Sequence, residues 1–260
     1  MSKKPLNKNE VLELLGRHGD SIVDVLRVLQ GYYLCPKDTN GRRMGPLVAY
    51  TATYAQGFHW VGDAYLNFAK IEHYPFFARH FAEQLALAIH KAGKEVDVIL
   101  GAPEGGKTVA EMTALALGAR YVYPEKVVTK AKTPTSREES YWIWGRHDEH
   151  IYPDERVAIG EDLMNNFATI KGQLEMVWGL KAHVVALIGW YNRSVNYRLF
   201  YPFDECGNSV PIITLAGESL NQYRQDDPAV AADVAAGNVV MKPKHEWPRL
   251  EEAMRLHSGA

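Results

Sequence analysis

Two loops in this chain carry residues whose types and spacing can do chemistry. The first is Glu161-Asp162-Leu163-Met164-Asn165-Asn166-Phe167-Ala168-Thr169, which follows the apolar stretch 157–159. A strand through that stretch brings Glu161 and Asp162 to the carboxyl edge of a sheet. A helix from about Thr169 then offers free backbone N–H groups to an anion. Carboxylates repel phosphate, so the two acids need partners of another kind. Ribose hydroxyls or a Mg²⁺ ion fit, with a phosphate held one turn further on by backbone amides and the Asn165, Asn166 and Thr169 side chains. Taken alone, the same residues also read as a helix cap after an ordinary turn, because Asp and Asn start helices.

The second loop runs Gly101-Ala102-Pro103-Glu104-Gly105-Gly106-Lys107-Thr108 between an apolar strand near 96–100 and an apolar helix ending at Leu117. Gly101, Gly106, Lys107 and Thr108 stand at the spacing of a nucleotide-binding P-loop. In that motif the loop wraps phosphates, the lysine reaches the terminal ones and the hydroxyl holds Mg²⁺. A nucleotide hydrolase or kinase is therefore one reading. Its position argues the other way, since 100 residues precede Gly101 and the later strand ends in two acids.

Together the loops resemble the type I phosphoribosyltransferases, whose motif runs apolar strand, two adjacent acids, two apolar residues and a small polar loop ending in Thr. The orotate branch carries the resemblance furthest, over residues 31–37, 41–50, 101–106, 121–126 and 186–193 in the same order along the chain. The resemblance implies a parallel sheet flanked by helices, with a small antiparallel hood. It implies that Glu161 and Asp162 bind the ribose hydroxyls of 5-phosphoribosyl-1-diphosphate, and that Asn165, Asn166, Ala168 and Thr169 bind its 5-phosphate. Glu104, Gly105, Gly106 and Lys107 would face the diphosphate, and Lys37 and Arg193 the base. Lys126 and Lys130 would act on a mobile loop, completing a catalytic group with Glu161 and Asp162. The implied reaction transfers the phosphoribosyl group to a nitrogenous base, orotate above others, with release of diphosphate. Mg²⁺ is the implied cofactor, held mainly through the substrate rather than by direct protein ligands, and a homodimer is the implied assembly.

The chain departs from the family pattern at Phe167, where the phosphate loop has glycine. Glycine there permits close approach and unusual dihedrals. The Phe167 ring is expected to turn away from the ligand, leaving backbone N–H groups and the asparagine amides as donors. Val48 and Ala49 replace an aromatic pair of the hood, and Glu125 precedes Lys126, with Lys130 and Lys132 following. These departures also fit a regulatory module that keeps the ligand site without turnover.

The elements that must position these residues follow from patterning. Apolar spacing predicts helices after Asn7 and after Asp20, then an antiparallel hood over 31–70 with Asn40-Gly41 as a turn signal. A helix over 76–91 leads to strands near 96–100, 120–123, 156–160, 183–189 and 210–215, mostly separated by helices, which implies a parallel sheet. The long stretch 124–153 breaks the rhythm and reads as a lid, or else as a solvated charged excursion with a hairpin around 141–144. A short helix is expected after 215, another over 229–236 and a final amphipathic one from about Leu250. The organisation expected is helices and hood over 1–75, a core over 76–220 and a helical extension over 221–260.

Composition is compatible with one substantial α/β core, at 47% hydrophobic over 260 residues. A net charge of −2 and a pI near 6.6 give no global basic field, so no nucleic-acid partner is expected. Cys35 and Cys206 lie far apart without ligand spacing, which points to a reducing cytoplasm. No apolar run reaches membrane-spanning length, so no membrane partner is expected. The histidines show no metal-ligand spacing.

Overall fold

A computed structural model describes residues 5–55, 57–130, 139–145, 150–202 and 208–257; the side chains of residues 51, 52, 130, 139 and 140 also lie outside the description. Lys132 and Cys206, and with them most of the expected lid's charged tip, fall outside the described residues.

Along the chain come helices α1 (Lys8–His18) and α2 (Ile22–Val28), then strands β1 (Tyr32–Leu34), β2 (Leu47–Ala55), β3 (Phe58–Gly62) and β4 (Ala64–Leu66). Helices α3 (Ala69–Glu72) and α4 (Pro75–Lys91) precede β5 (Val98–Gly101), α5 (Gly105–Leu117) and β6 (Arg120–Val122). Strands β7 (Glu125–Lys130) and β8 (Glu139–Ile143) are followed by β9 (Arg156–Met164), α6 (Ala168–Gly179) and β10 (His183–Asn192). The chain ends with β11 (Phe200–Pro202), β12 (Ser209–Gly217), β13 (Gln222–Tyr223), α7 (Ala231–Ala235), β14 (Val239–Val240) and α8 (Trp247–His257).

The described residues form two compact units, one drawn from stretches within 5–25, 71–130 and 139–219, the other from stretches within 26–70 and 220–257. The first is a mixed α/β layer built on a six-stranded sheet in the order β11-β12-β10-β9-β5-β6, parallel except for β11. All four residues of β5 are buried, as expected of a strand covered on both faces. The core gathers Val98, Leu100, Val157, Ile159, Leu174 and Leu187 around the sheet. Helix α4 turns Phe77, Phe81, Leu85 and Ile89 inward at helical spacing, and Pro75 opens it where a missing N–H costs no hydrogen bond. Asn7 and Glu10 close a reciprocal capping box on α1.

Strand order is what matters for function. Although β6, β7 and β8 intervene in sequence, β5 and β9 are direct neighbours, with Leu100 opposite Ile159 and Gly101 opposite Gly160. At the other end of the pair, Arg156 grips Asp97 through its backbone N and its Nε, both at 2.9 Å, and through Nη2 at 2.6 Å. Those bonds hold the Asp97 carboxyl down at about 2.

Strands β7 and β8 form a separate antiparallel ribbon, Lys126 opposite Trp142 and Val127 opposite Tyr141. A Cβ added to Gly172 would lie 2.7 Å from the Trp142 Nε1, so the ribbon packs on the bare flank of α6. The ribbon corresponds to the expected hairpin.

The second unit contains the expected antiparallel hood. Strands β2 and β3 pair antiparallel, as do β1 and β4. The Asn40-Gly41 turn closes as Gly41 N donates to the Asp38 carbonyl at 2.9 Å, with Gly41 in the left-handed region. The C-terminal segment completes the sheet, β13 beside β3 and β14 beside β2. The short helix expected after residue 215 is not found among the described residues, because β12 continues to Gly217 and residues 222–223 pair with β3. The final amphipathic helix is α8, whose Leu250 and Ala253 pack against Tyr33 and Val48.

Candidate functional site

The adjacency of β5 and β9 brings the two loops singled out by sequence into contact. A Cβ added to Gly105 would lie 2.4 Å from the Asp162 carboxyl, and one added to Gly106 would lie 2.3 Å from the Gly160 carbonyl oxygen. Only a backbone without side chains can lie this close to the acid-bearing strand. The peptide between Pro103 and Glu104 is cis. Helix α5 begins at Gly105, so its first amides sit beside Asp162.

Glu161 and Asp162 lie within β9, which continues to Met164 beyond the expected end near residue 160, and each is partly exposed. Asp162 Oδ1 accepts from the Leu163 N–H at 2.8 Å. Burial, first of all, pushes both carboxyls upward; for Glu161 the neighbouring Asp162 charge and a hydrogen bond from one acid to the other push further. The two acids hold a proton more readily than isolated ones, with Glu161 the stronger holder. Such a pair is suited to meet hydroxyls or a cation and poorly suited to meet phosphate.

The turn that follows is open on its outer side. Asn166 and Ala168 are exposed, Asn165 and Thr169 partly so. Asn166 Oδ1 accepts from the Ala168 N–H at 3.2 Å, which ties the turn to the start of α6. Phe167 adopts φ +59° in the left-handed region, is 3% exposed, and stacks its ring on Tyr201 at 5.1 Å with the planes 16° apart. The ring is turned into the core, as expected for a residue standing where glycine would. Its aromatic partners, Tyr197 and Tyr201, were missed by sequence reasoning; the only signal was the aromatic run after Arg193.

The basic residues are distributed unevenly. Lys107 Nζ pairs with Glu104 Oε2 at 2.9 Å and lies over the Tyr123 ring, 4.4 Å from its centre. The exposed Lys126 shares a ribbon face with Trp142, so it is carried on the side that packs against α6. Of Lys130 only the backbone is described, paired with Glu139 at the ribbon end. Arg193 is buried at the end of β10, its N–H donating to the Met164 carbonyl at 2.9 Å. Lys37 belongs to the other unit, where its Nζ lies 2.9 Å from Asp63, a carboxylate also gripped by Arg43 at 2.5 Å. Hydrogen bonds from Arg43 and Lys37 outweigh burial and hold Asp63 below its ordinary range.

No family model matches the chain. Curated relatives do: an orotate phosphoribosyltransferase of a Thermoanaerobacter species is 31% identical over 140 residues, covering 53% of this chain and 66% of the relative. One of a Sulfurovum species is 26% identical over 194 residues, covering 73% and 88%. The chain is thus similar to members of the type I phosphoribosyltransferase family. The alignments with the first two relatives span less than two thirds of their length, 66% and 58%. Among solved structures, family members similar to this chain include an orotate phosphoribosyltransferase from Aeropyrum pernix, at 15% identity and TM-score 0.44, covering 75% of this chain and 93% of that one. An adenine phosphoribosyltransferase from Thermoanaerobacter pseudethanolicus is similar at 18% identity and TM-score 0.45, covering 60% and 88%.

Proposed function

We propose that this protein transfers the 5-phosphoribosyl group of 5-phosphoribosyl-1-diphosphate to a ring nitrogen of a base and releases diphosphate. The observation that carries this reading is the contact of the glycine loop at Gly105 with the Asp162 carboxyl. It supports the reading by bringing the loop assigned to the diphosphate beside the acids assigned to the ribose. On this reading the P-loop spacing of Gly101 to Thr108 is coincidental, and Glu104 to Lys107 face the diphosphate. Glu161 and Asp162 accept from the ribose hydroxyls, while Asn165, Asn166, Thr169 and the amides at Ala168 take the 5-phosphate.

Catalysis is electrostatic and positional. As the C1–O bond to diphosphate lengthens, negative charge gathers on the leaving oxygens and positive charge on the ribose ring. Lys126 and Lys130 on the ribbon, with the loop amides, stabilise the former, and Glu161 and Asp162 lie near the latter. Ribose held at both ends is aligned for in-line attack, an effect that removes about 7–11 kcal/mol of barrier in well-oriented systems. Arg193 is assigned to the base, and orotate is the first acceptor to test because it is the base named in the curated relatives.

Mg²⁺ fits the donor set, since Glu161 and Asp162 offer hard oxygens on one strand. Among the described residues no three metal-capable side chains converge. Following the family resemblance, the ion is assigned to the substrate's own oxygens, with the two acids as its protein-side neighbours; when bound it would neutralise charge on the diphosphate. A homodimer completes the proposal, checked by sedimentation.

The deciding assay supplies 5-phosphoribosyl-1-diphosphate and Mg²⁺ with a panel of bases, orotate and adenine among them, and follows diphosphate release. Release with at least one base supports the transferase. Calorimetric binding of the sugar diphosphate without release would identify a regulatory module instead, and no binding at millimolar concentration would reject both. Mg²⁺-dependent ATP binding that vanishes in Lys107→Ala would favour the nucleotide hydrolase.

A further inference from the structure

We propose that Tyr197 and Tyr201 are positioning residues for the 5-phosphate turn, holding Phe167, and through it the backbone of 164–169, in the conformation that glycine supplies elsewhere in the family. The inference rests on the transferase reading of that turn. A bulky residue at φ +59° persists only where its surroundings over-determine it. Here those surroundings are aromatic. The Phe167 ring stacks on Tyr201 and meets Tyr197 edge-on at 5.3 Å and 80°, while the two tyrosines meet each other at 4.9 Å and 65°. These are the offset-stacked and edge-to-face geometries that aromatic rings favour.

The tyrosines are themselves fixed. Asn192 Nδ2 donates to the Tyr197 carbonyl at 2.7 Å, and its Oδ1 accepts from the Ser194 N–H at 3.0 Å. Ser194 Oγ accepts from the Asn196 and Tyr197 N–H groups at 3.2 and 3.1 Å, and Arg198 Nη1 returns to the Asn192 carbonyl at 2.7 Å. Tyr201 is registered opposite Val210 in the β11–β12 pair. The same loop starts at Arg193, whose N–H is bonded to the Met164 carbonyl. The turn is thus held at both ends by one loop, at Met164 through a backbone bond and at Phe167 through the ring stack. Side chains of the 192–201 segment replace a missing glycine, and the geometry of the phosphate amides becomes a property of that segment.

The test titrates ribose 5-phosphate and, separately, inorganic diphosphate with Mg²⁺ into wild type, Tyr201→Leu and Tyr201→Phe. Tyr201→Leu is expected to weaken ribose 5-phosphate about tenfold while diphosphate affinity stays within about twofold, since the glycine loop does not depend on the stack. Tyr201→Phe keeps the ring and is expected to retain both affinities. A purely structural role would weaken both ligands together, and that result, or unchanged ribose 5-phosphate affinity in Tyr201→Leu, overturns the proposal. If Tyr201→Leu fails to fold, Tyr197→Leu, which removes the edge contacts to Phe167 and Tyr201 but keeps the Phe167–Tyr201 stack, carries the same selective expectation at about threefold. Wild type that binds diphosphate but not ribose 5-phosphate overturns the positioning role alone. Wild type that binds neither overturns the transferase reading beneath it.

Discussion

At the scale of single residues, Asp162 separates function from stability. Its carboxyl and that of Glu161 are pushed upward by burial and, for Glu161, by the neighbouring charge. A carboxyl with a raised folded pKa binds more protons folded than unfolded, so the fold loses stability as pH rises through the window from the unfolded value to the raised one. Ionisation of the pair is therefore a strain on the fold. Asp162→Asn keeps the oxygen that accepts from Leu163 and removes one charge. We expect its thermal midpoint to stay level or rise by about 1–3 °C. Turnover should fall by about 10–150-fold, the worth of a hydrogen bond to a charged group at about 1.5–3 kcal/mol. Wild-type turnover in this variant would end the ribose-binding assignment.

At the scale of elements, two glycines with opposite surroundings test whether loop and strand are in true contact. Gly106→Ala puts a methyl 2.3 Å from the Gly160 carbonyl oxygen, a backbone atom of β9 that cannot swing aside. The loop and the strand must part, at a cost of about 1–3 kcal/mol in urea unfolding, with weakened diphosphate binding. Gly16 in α1 meets nothing within 4 Å, and Gly16→Ala should stabilise by about 0.5–1 kcal/mol through helix propensity and a less free unfolded chain. A Gly106→Ala protein as stable as wild type would contradict the packing. The ribbon is tested at Gly172, where an alanine would push Trp142 off α6. A red shift of tryptophan emission is expected, and unchanged emission would count against the contact.

At the scale of the whole molecule, the described residues contain no helix long and apolar enough to cross a membrane. Acid stability is governed by groups of opposite sign. Asp97, held at about 2 chiefly by its side-chain bonds to Arg156, lies below its ordinary value of 3.8. Its contribution is fully present above the unfolded value and is lost as pH falls from about 4 through 2. Glu161 and Asp162 act the other way, relieving repulsion as they take up protons. Denaturation curves should show Asp97→Asn losing stability at neutral pH but little at pH 2, where wild type has lost the same contribution. Equal differences at both pH values would show that the Arg156 pair is not what holds the carboxyl down.

The sequence by itself determined the parts. Continuous apolar runs read as buried strands, and those expected near 96–100, 156–160 and 183–189 formed at 98–101, 156–164 and 183–192, the last two running on past the expected ends. The acid pair, the glycine loop and the polar turn were legible because their chemistry is local, written in adjacent residues. Tertiary structure decided which strands are neighbours: β5 beside β9, with β6 at the sheet edge, is a long-range pairing that no local pattern encodes, yet it alone brings Gly105 to Asp162. It also decided that the segment after residue 220 completes the hood sheet, because two-residue strands such as Val239–Val240 carry no periodicity of their own and exist only by pairing. Phe167 shows the same division, since its type marked a departure from glycine while only partners thirty and more residues away supply the stack that keeps its backbone left-handed.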